Sequence, residues 1–476
     1  MIAGTSQKLY ICPGEGHPIS RSVHLSRLAA FYPVCRDCPL RADTGHLPGQ
    51  IVERLQQTER RVQRRSLYTA EGVRGVYIND LTRKKAGRIA TALADLLWED
   101  APLVGLTETS RRSNRRNRPA VVVGHDERPS APDIVTGVAS ALRRMGCQVI
   151  DISLTSTPCF RFAVDHLQAA AGIFVTGNGC QPSWTGMDFV LRGAVPLGDG
   201  QVLTAEASET APSKISLPKS GLSLDLLEER SQRPISRATR HAGPHRTFQV
   251  SIPYEAGLWK HFHALRPLTV VSACPTRLAR QTLERIFEML PCTLIALDIP
   301  NRVRNPVDPA DADIERLSQT VKESRAHLGV LIDDDGQRCG FVDERGELIS
   351  SRDLTGLLAE LMLDEHPAAA IVVESAAEDS LRSRIEKAGG TCLASGPAPA
   401  RMAQSMSDKN AIFGGGDSGR FWFRESFATC DAVLTLAKVL DLLSRSDSSF
   451  SEVADTGRPE NDCVHDSEQR IDVQEI

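Results

Sequence analysis

The sequence predicts an α/β fold, with three similar α/β/α units in a row behind a short Cys/His-rich module. Three observations lead there. Short apolar runs alternate with amphipathic stretches of helical length, which is how strands and their covering helices are laid down in an α/β layer. The alternation breaks and restarts twice, so the unit is repeated at domain scale. The chain has 476 residues, room for about three domains at roughly 100 to 200 residues each.

Composition narrows the function classes. Hydrophobic residues are 41% and charged residues 24%, as in an ordinary packed chain. The formal net charge of -4 argues against a protein that coats nucleic acid. No apolar run approaches the ~18 residues of a membrane-spanning helix. The opening MIAGTSQKLYICPGEGHP lacks the apolar segment of a secretory signal, so the expected location is cytoplasmic, with no membrane partner.

Residues 1–50 form the Cys/His module. Cys12, His17, Cys35 and Cys38 read as C-x4-H followed by C-x2-C, a spacing that suits a tetrahedral Zn2+ site, with His24 as an alternative fourth ligand. A module this short has little core of its own, so a metal would supply its stability. A redox-active Cys35/Cys38 pair and plain buried thiols remain the other readings. Cys147, Cys159, Cys274, Cys292, Cys339, Cys392 and Cys430 are scattered singly in apolar segments and read as small buried hydrophobes. Residues 51–66 read as a charged helical linker.

The first α/β unit spans 67–203. Ile89, Leu93, Leu96 and Leu97 mark one face of a helix, AVVVGHD a buried strand, and DIVTGVASALRRMG a helix closed by Gly146. CQVIDISL, PCFRFAVDHLQAA and AGIFVTG continue as strand, helix and strand. A polar stretch, 204–247, reads as an interdomain segment. The second unit, 248–350, contains the strands LTVVSAC, CTLIALDI and HLGVLIDD. The third, 351–445, contains AAAIVVES and ends in a helix near Ala432 to Leu443. The Ser/Asp/Glu-rich tail, 446–476, is expected to be disordered.

Four loops could carry chemistry. In EGVRG, Glu71 to Gly75, two glycines flank Arg74 and could present its guanidinium to an anion; a surface turn is the plainer reading. VTGNGCQPSWTG, Val175 to Gly186, follows a buried strand, where α/β folds place ligands, although it could be a mere connection. IDDDGQR, Ile332 to Arg338, sets three carboxylates side by side, which suits a hard cation or an acidic turn. FGGGDSGRFWF, Phe413 to Phe423, combines free backbone N–H groups with the donors of Ser418 and Arg420.

These loops, taken in order, resemble the motifs of the phosphohexomutases, the phosphoglucomutase/phosphomannomutase superfamily. GVRG resembles its early G-[IF]-R-G, GHDERPSAP its G-R-D-x-R-x-S, and ISLTSTP the strand end before T-P. VTGNGCQPSWTG resembles the phosphoserine loop, IDDDGQR the magnesium loop D-G-D-G-D-R, FGGGDSG the sugar-recognition G-G-E-x-S-G-H, and RNPVDP the P-N-P-x-P stretch. The resemblance covers about residues 67 to 445. It implies three phosphohexomutase-type α/β/α domains, with the fourth domain expected to be missing. The reaction implied is intramolecular phosphoryl transfer on a hexose phosphate, supported by Mg2+.

Carried over residue by residue, the resemblance gives Arg74 to the catalytic site. Asp333, Asp335 and Gln337 fall on the metal loop, and Arg338, Asp417, Ser418, Gly419 and Arg420 on substrate binding. The departures matter as much. The serine that carries the phosphoryl group falls on Asn178, which cannot form that ester, and Cys180 lies two residues on. The family's lysine falls on Asp188, its third metal aspartate on Gln337, and its sugar-loop glutamate and histidine on Gly416 and Arg420. The expectation is a catalytically degenerate homologue that binds or senses a phosphosugar, with Mg2+ binding weak or lost. An interaction scaffold whose zinc module recruits a protein partner, and an enzyme of altered phosphotransfer chemistry, are the alternatives.

Overall fold

The computed structural model describes residues 9–12, 16–32, 34–35, 38–62, 66–100, 118–198, 222–237, 239–374, 379–426 and 429–456. The chain divides into two compact units, Met1–Ser66 and Leu67–Ile476.

The small unit holds two helices, α1 (Arg21–Ala29) and α2 (Gly49–Val62). Ser20 caps α1 by accepting from the Val23 amide at 3.4 Å. Leu28, Cys35 and Leu55 bury together as a minimal core. The stretch predicted as a linker therefore belongs to this unit, because Leu55 gives α2 an apolar residue to bury against Leu28. Tyr10 stacks on His24 with ring centroids 4.2 Å apart and donates its hydroxyl to Asp43 at 2.8 Å.

The large unit contains three sheets. The first is built from β1 (Tyr68–Thr69), β2 (Gly72–Val76), α3 (Arg83–Asp100), β3 (Ala120–His125), α4 (Ala131–Arg144), β4 (Gln148–Leu154), α5 (Thr157–His166), β5 (Ala171–Val175), β6 (Trp184–Leu191), β7 (Val195–Pro196), α6 (Leu224–Gln232) and β8 (His245–Thr247). Its strand order is β1-β2-β6-β5-β3-β4-β8, with β7 pairing β6. In β3, Val121 and Val123 join the core beneath α3 and α4, while Val122 joins the opposite core with Phe160. Both faces of the strand are thus covered, which is why it reads as an unbroken apolar run. Pro132 opens α4 and Gly146, at φ 85°, lies just past its end.

The second sheet follows α7 (Ser251–Trp259) and comprises β9 (Thr269–Cys274), α8 (Arg277–Phe287), β10 (Thr293–Asp298), α9 (Ala312–Ser324), β11 (Leu328–Ile332), β12 (Cys339–Asp343) and β13 (Leu348–Ile349). The third comprises α10 (Ser351–Glu365), β14 (Ala370–Glu374), α11 (Asp379–Lys387), β15 (Thr391–Ser395), α12 (Pro399–Asp408), β16 (Phe413–Gly415), β17 (Trp422–Phe423) and β18 (Thr429–Cys430), followed by α13 (Ala432–Ser444) and α14 (Phe450–Thr456). Their orders, β10-β9-β11-β12-β13 and β15-β14-β16-β17-β18, are the same path: second, first, third, then two antiparallel strands. The stretch β4-β3-β5-β6 repeats it in the first sheet. The three predicted units are copies of one topology.

Two segments differ from expectation. Part of 204–247 folds with the first sheet: β8 pairs in parallel with β4, and α6 packs on α3. The tail is ordered as far as α14, because Phe450 buries edge-on against Phe341 and Ser451 donates to Glu344. The rest of the predicted disordered tail, 457–476, lies outside the described residues. All seven singly scattered cysteines are buried, as their apolar surroundings predict. No helix among the described residues is long and apolar enough to cross a membrane.

Candidate ligand-binding site

Each topological copy first turns back on itself between its third parallel strand and the antiparallel strand that follows. The three loops at those turns, 176–183, 333–338 and 416–421, are three of the four singled out in the sequence. The copies bring them together. Arg338 bridges to Arg420, and the Cys339 amide donates to the Gly419 carbonyl at 2.9 Å. Arg128 joins the first loop to the second. Its guanidinium donates to the Cys180 and Gln181 carbonyls at 3.1 and 2.9 Å and pairs with Asp334 at 3.2 Å.

The first loop is held from below by Asp126, which accepts from the Thr176 hydroxyl at 2.9 Å and the Gly177 amide at 3.1 Å. Asn178 is half-buried at its tip and donates its side-chain amide to the Thr157 hydroxyl at 3.1 Å. Thr157 is in the first turn of α5, so the loop closes on a helix N-terminus. Beside it, the buried Arg74 pairs with Asp188 at 2.6 Å. Burial works against both charges and pushes the Asp188 carboxyl up, yet Asp188 in turn raises Arg74. A guanidinium does not deprotonate near neutrality, so Arg74 keeps its charge beside Asp188.

The acidic loop is almost wholly inside the protein. Asp333 and Asp335 are 1% and 4% exposed. Asp333 accepts an ion pair from Arg338, with the buried Arg304 4.0 Å away on its other side. Burial, then Asp335, pushes the Asp333 carboxyl up. Burial with its two acidic neighbours pushes Asp334 up to about 7. Asp335 accepts from the Gln337 amide at 2.7 Å and lies 4.0 Å from Arg338. The Gln337 Oε1 is buried and bonds to nothing among the described residues. Crowded carboxylates beside an orphaned amide oxygen are the donor set of a hard cation, so Asp333, Asp335 and Gln337 fit Mg2+.

In the third loop, Ser418 bonds inward to Glu374 at the end of β14, through its hydroxyl at 2.5 Å and its amide at 2.9 Å. Burial pushes the Glu374 carboxyl up, against the pull of those bonds. A Cβ at Gly416 would stand 2.5 Å from the Glu374 Cβ and 2.7 Å from its Oε2, so the glutamate fills the place where a side chain at 416 would lie. Asp417 is exposed and paired with Arg352 at 2.9 Å. Gly419 takes a positive φ, 73°, which lets Arg420 turn back toward the first sheet. There Arg420 pairs with Glu71 at 3.0 Å. Burial opposes the Glu71 charge, but Arg420, helped by Arg74 and Arg338, holds the carboxyl below its usual range.

The family description "Phosphoglucomutase/phosphomannomutase, alpha/beta/alpha domain I" matches residues 65–211, and domain III of the same family matches 351–459. The chain belongs to the phosphohexomutase superfamily. Phosphohexose mutases of Xanthomonas campestris are 26% identical over 412 residues, covering 85% of this chain and 83% of theirs. The phosphomannomutase/phosphoglucomutase of Pseudomonas aeruginosa is 26% identical over 402 residues, covering 82% and 76%. A phosphoglucomutase/phosphomannomutase family protein from Burkholderia thailandensis shares the fold, with a TM-score of 0.68 at 23% identity over 83% of this chain and 80% of that one.

Measured against the phosphohexomutase motifs, the structure brings together Arg74, Asn178, Asp333, Asp335, Gln337, Arg338, Ser418, Gly419 and Arg420. It keeps Asp417 at the surface. The predicted zinc ligands are only partly assembled. Cys12, Cys35 and Cys38 are buried, and Cys12 and Cys38 both act on the Cys35 thiol, which burial pushes up. His17, however, is exposed, His24 spends its Nε2 on the Asp43 carbonyl at 3.0 Å, and Arg27 approaches the Cys12 sulfur at 3.4 Å. Among the described residues no group of three or more His, Cys, Asp or Glu side chains is placed to hold a metal ion. Sequence reasoning missed Glu374 as a partner of the third loop; its only signal was a carboxylate ending an apolar strand.

Proposed function

We propose that this chain binds a phosphorylated hexose where the three hairpin loops meet, and does not carry the phosphoryl group on its own side chain. The observation that supports it is Asn178. An amide nitrogen is no nucleophile, since its lone pair is delocalised into the carbonyl, and here it is committed as a donor to Thr157. The other site residues remain suited to holding an anionic sugar. Arg74 and Arg420 keep their charges through Asp188 and Glu71, and Ser418 fixes the third loop. Mg2+ bound by Asp333, Asp335 and Gln337 would neutralise charge on a phosphoryl group. Arg338, paired with Asp333, competes for that place, which favours weak metal binding.

A thermal-shift series with hexose 1-phosphates, 6-phosphates and 1,6-bisphosphates, with and without Mg2+, tests the reading. A ligand of the folded state raises the melting temperature. Mass spectrometry after incubation with hexose 1,6-bisphosphate should find no phosphoryl group on Gly177 to Cys180. A second reading, altered transfer through Cys180, is favoured by the half-buried place of that residue in the first loop, where Arg128 holds its carbonyl; a phosphorylated Cys180 would establish it. We further propose that the N-terminal unit recruits a protein partner, and that Zn2+ on Cys12, His17, Cys35 and Cys38 would require the exposed His17 to come in to the three cysteines.

A further inference from the structure

Five arginines at the meeting of the loops have an acidic partner within the chain: Arg74 with Asp188, Arg128 with Asp334, Arg304 with Asp313, Arg338 with Asp333, and Arg420 with Glu71. Arg161 does not. It lies in α5, one turn beyond Thr157, and residues four apart share a helix face. It therefore shares a helix face with Thr157, whose hydroxyl receives the Asn178 amide. It is 6% exposed, between the wholly buried Phe160 and Ala163, and α5 packs there on β18. Among the described residues it makes no ion pair, and its Nη1 is buried without a hydrogen-bond partner. Asp188 and Glu71 are close enough to favour its charge, but each is already spent on another arginine, and Arg420 opposes it.

A buried, unpaired guanidinium is among the least favourable groups a fold can hold. A lysine could escape by shedding its proton; an arginine cannot. The helix could have kept an apolar residue here, as it does at Phe160 and Ala163. A second unmet donor is near: the Arg420 Nε is also buried without a partner. We propose that Arg161 and Arg420 together form an anion subsite, at the junction of the first and third sheets, that receives a phosphate group of the ligand. The planar fork of a guanidinium matches the oxygen spacing of phosphate. The subsite rests on the proposed hexose-phosphate reading for the identity of the ligand, but not for its own charge.

The test uses the full chain as wild type, Arg161→Met and Arg161→Lys. Each is melted alone and with inorganic phosphate, glucose 6-phosphate or glucose 1,6-bisphosphate, and affinities follow by calorimetry. The expected result has two parts. Arg161→Met weakens sugar-phosphate binding about 10- to 100-fold, the scale of a lost charged hydrogen bond. Without ligand it melts no lower than wild type, because an apolar chain replaces an unmatched charge. Arg161→Lys keeps the charge without the fork and falls between. Hexose phosphate bound equally by wild type and Arg161→Met would overturn the subsite and leave the proposed function standing. Inorganic phosphate bound in an Arg161-dependent way, with hexose phosphates adding nothing, would keep the subsite and overturn the hexose reading. No stabilisation of wild type by any of the three overturns both. A large drop in the melting temperature of both ligand-free variants would mean that Arg161 is structural, and would also overturn the subsite.

Discussion

Asp431 ties two of the α/β units together, and its ionisation should leave a measurable mark on stability. The carboxylate caps α13, accepting from Val433 at 2.9 Å and Leu434 at 3.2 Å, while its second oxygen accepts the Tyr254 hydroxyl of α7 at 2.8 Å. The group is 3% exposed, and burial pushes its pKa up to about 6 even though all three bonds favour the charged form. Unfolded, it would titrate near 3.8. Between those values the folded chain binds more protons than the unfolded one, so stability falls as pH rises. The contribution is fully present below about pH 4 and lost by about pH 7; a shift of about 2 units corresponds to about 3 kcal/mol. Asp431→Asn keeps an oxygen for the two amides and offers Tyr254 a donor instead, without a charge to bury. Urea unfolding of wild type and Asp431→Asn, followed by tryptophan fluorescence from pH 4 to 7, measures the difference. The variant should gain about 3 kcal/mol on wild type across that range. A gap that stays constant, or that closes as pH rises, would show that the buried carboxyl is not raised.

Three further outcomes are expected. Asp188→Ala strands Arg74 in the interior and should cost about 3–5 kcal/mol in chemical unfolding; a loss below about 1 kcal/mol would mean the pair is solvated in solution. Calorimetry with Mg2+ should show binding no tighter than about millimolar to the free protein, since Arg338 already holds Asp333, and micromolar binding abolished by Asp335→Asn would reveal a working metal centre. Elemental analysis of the purified chain should find about one Zn2+, lost in Cys35→Ser with Cys38→Ser; unchanged metal content in that double variant would remove the zinc proposal.

The strands and helices of the three units were legible because each buried strand is an apolar run and each covering helix carries its own face. Val121 to Val123, Leu328 to Ile332 and Ile371 to Val373 could hardly be anything else. The loops were legible for a different reason: their glycines and carboxylates are costly anywhere except at a turn that uses them. Pairings across the chain were not legible. Glu71 and Arg420 are 349 residues apart, and nothing local in either segment announces the other. Glu374 was hidden for the same reason, since its role depends on a glycine 42 positions later having no side chain. Arg161 was passed over because the apolar residues around it read as ordinary core helix. The α14 helix was missed because composition over a whole tail outweighed one phenylalanine. Distant charges and single anchoring residues carry no periodicity, so pattern reasoning passes them by.

The repeated hairpin also separates what the chain can change from what it must keep. In each copy the hydrogen-bonded ladder stops before the loop: β5 with β6 at Val175 and Met187, β11 with β12 at Ile332 and Cys339, β16 with β17 at Gly414 and Trp422. Most residues at the tips lie beyond those rungs, although Trp184 to Gly186 still pair with β2 and Arg338 with Arg420. Inheritance of the scaffold and inheritance of the chemistry are therefore uncoupled, and each of the three tips can drift by itself. Drift at one tip is felt at the others only through the side chains that meet there. A new arginine at the third tip can settle against a glutamate of the first sheet, and a glutamate from a neighbouring strand can move into ground a loop residue has given up. Built this way, the recognition site has three corners that share a scaffold without sharing a strand.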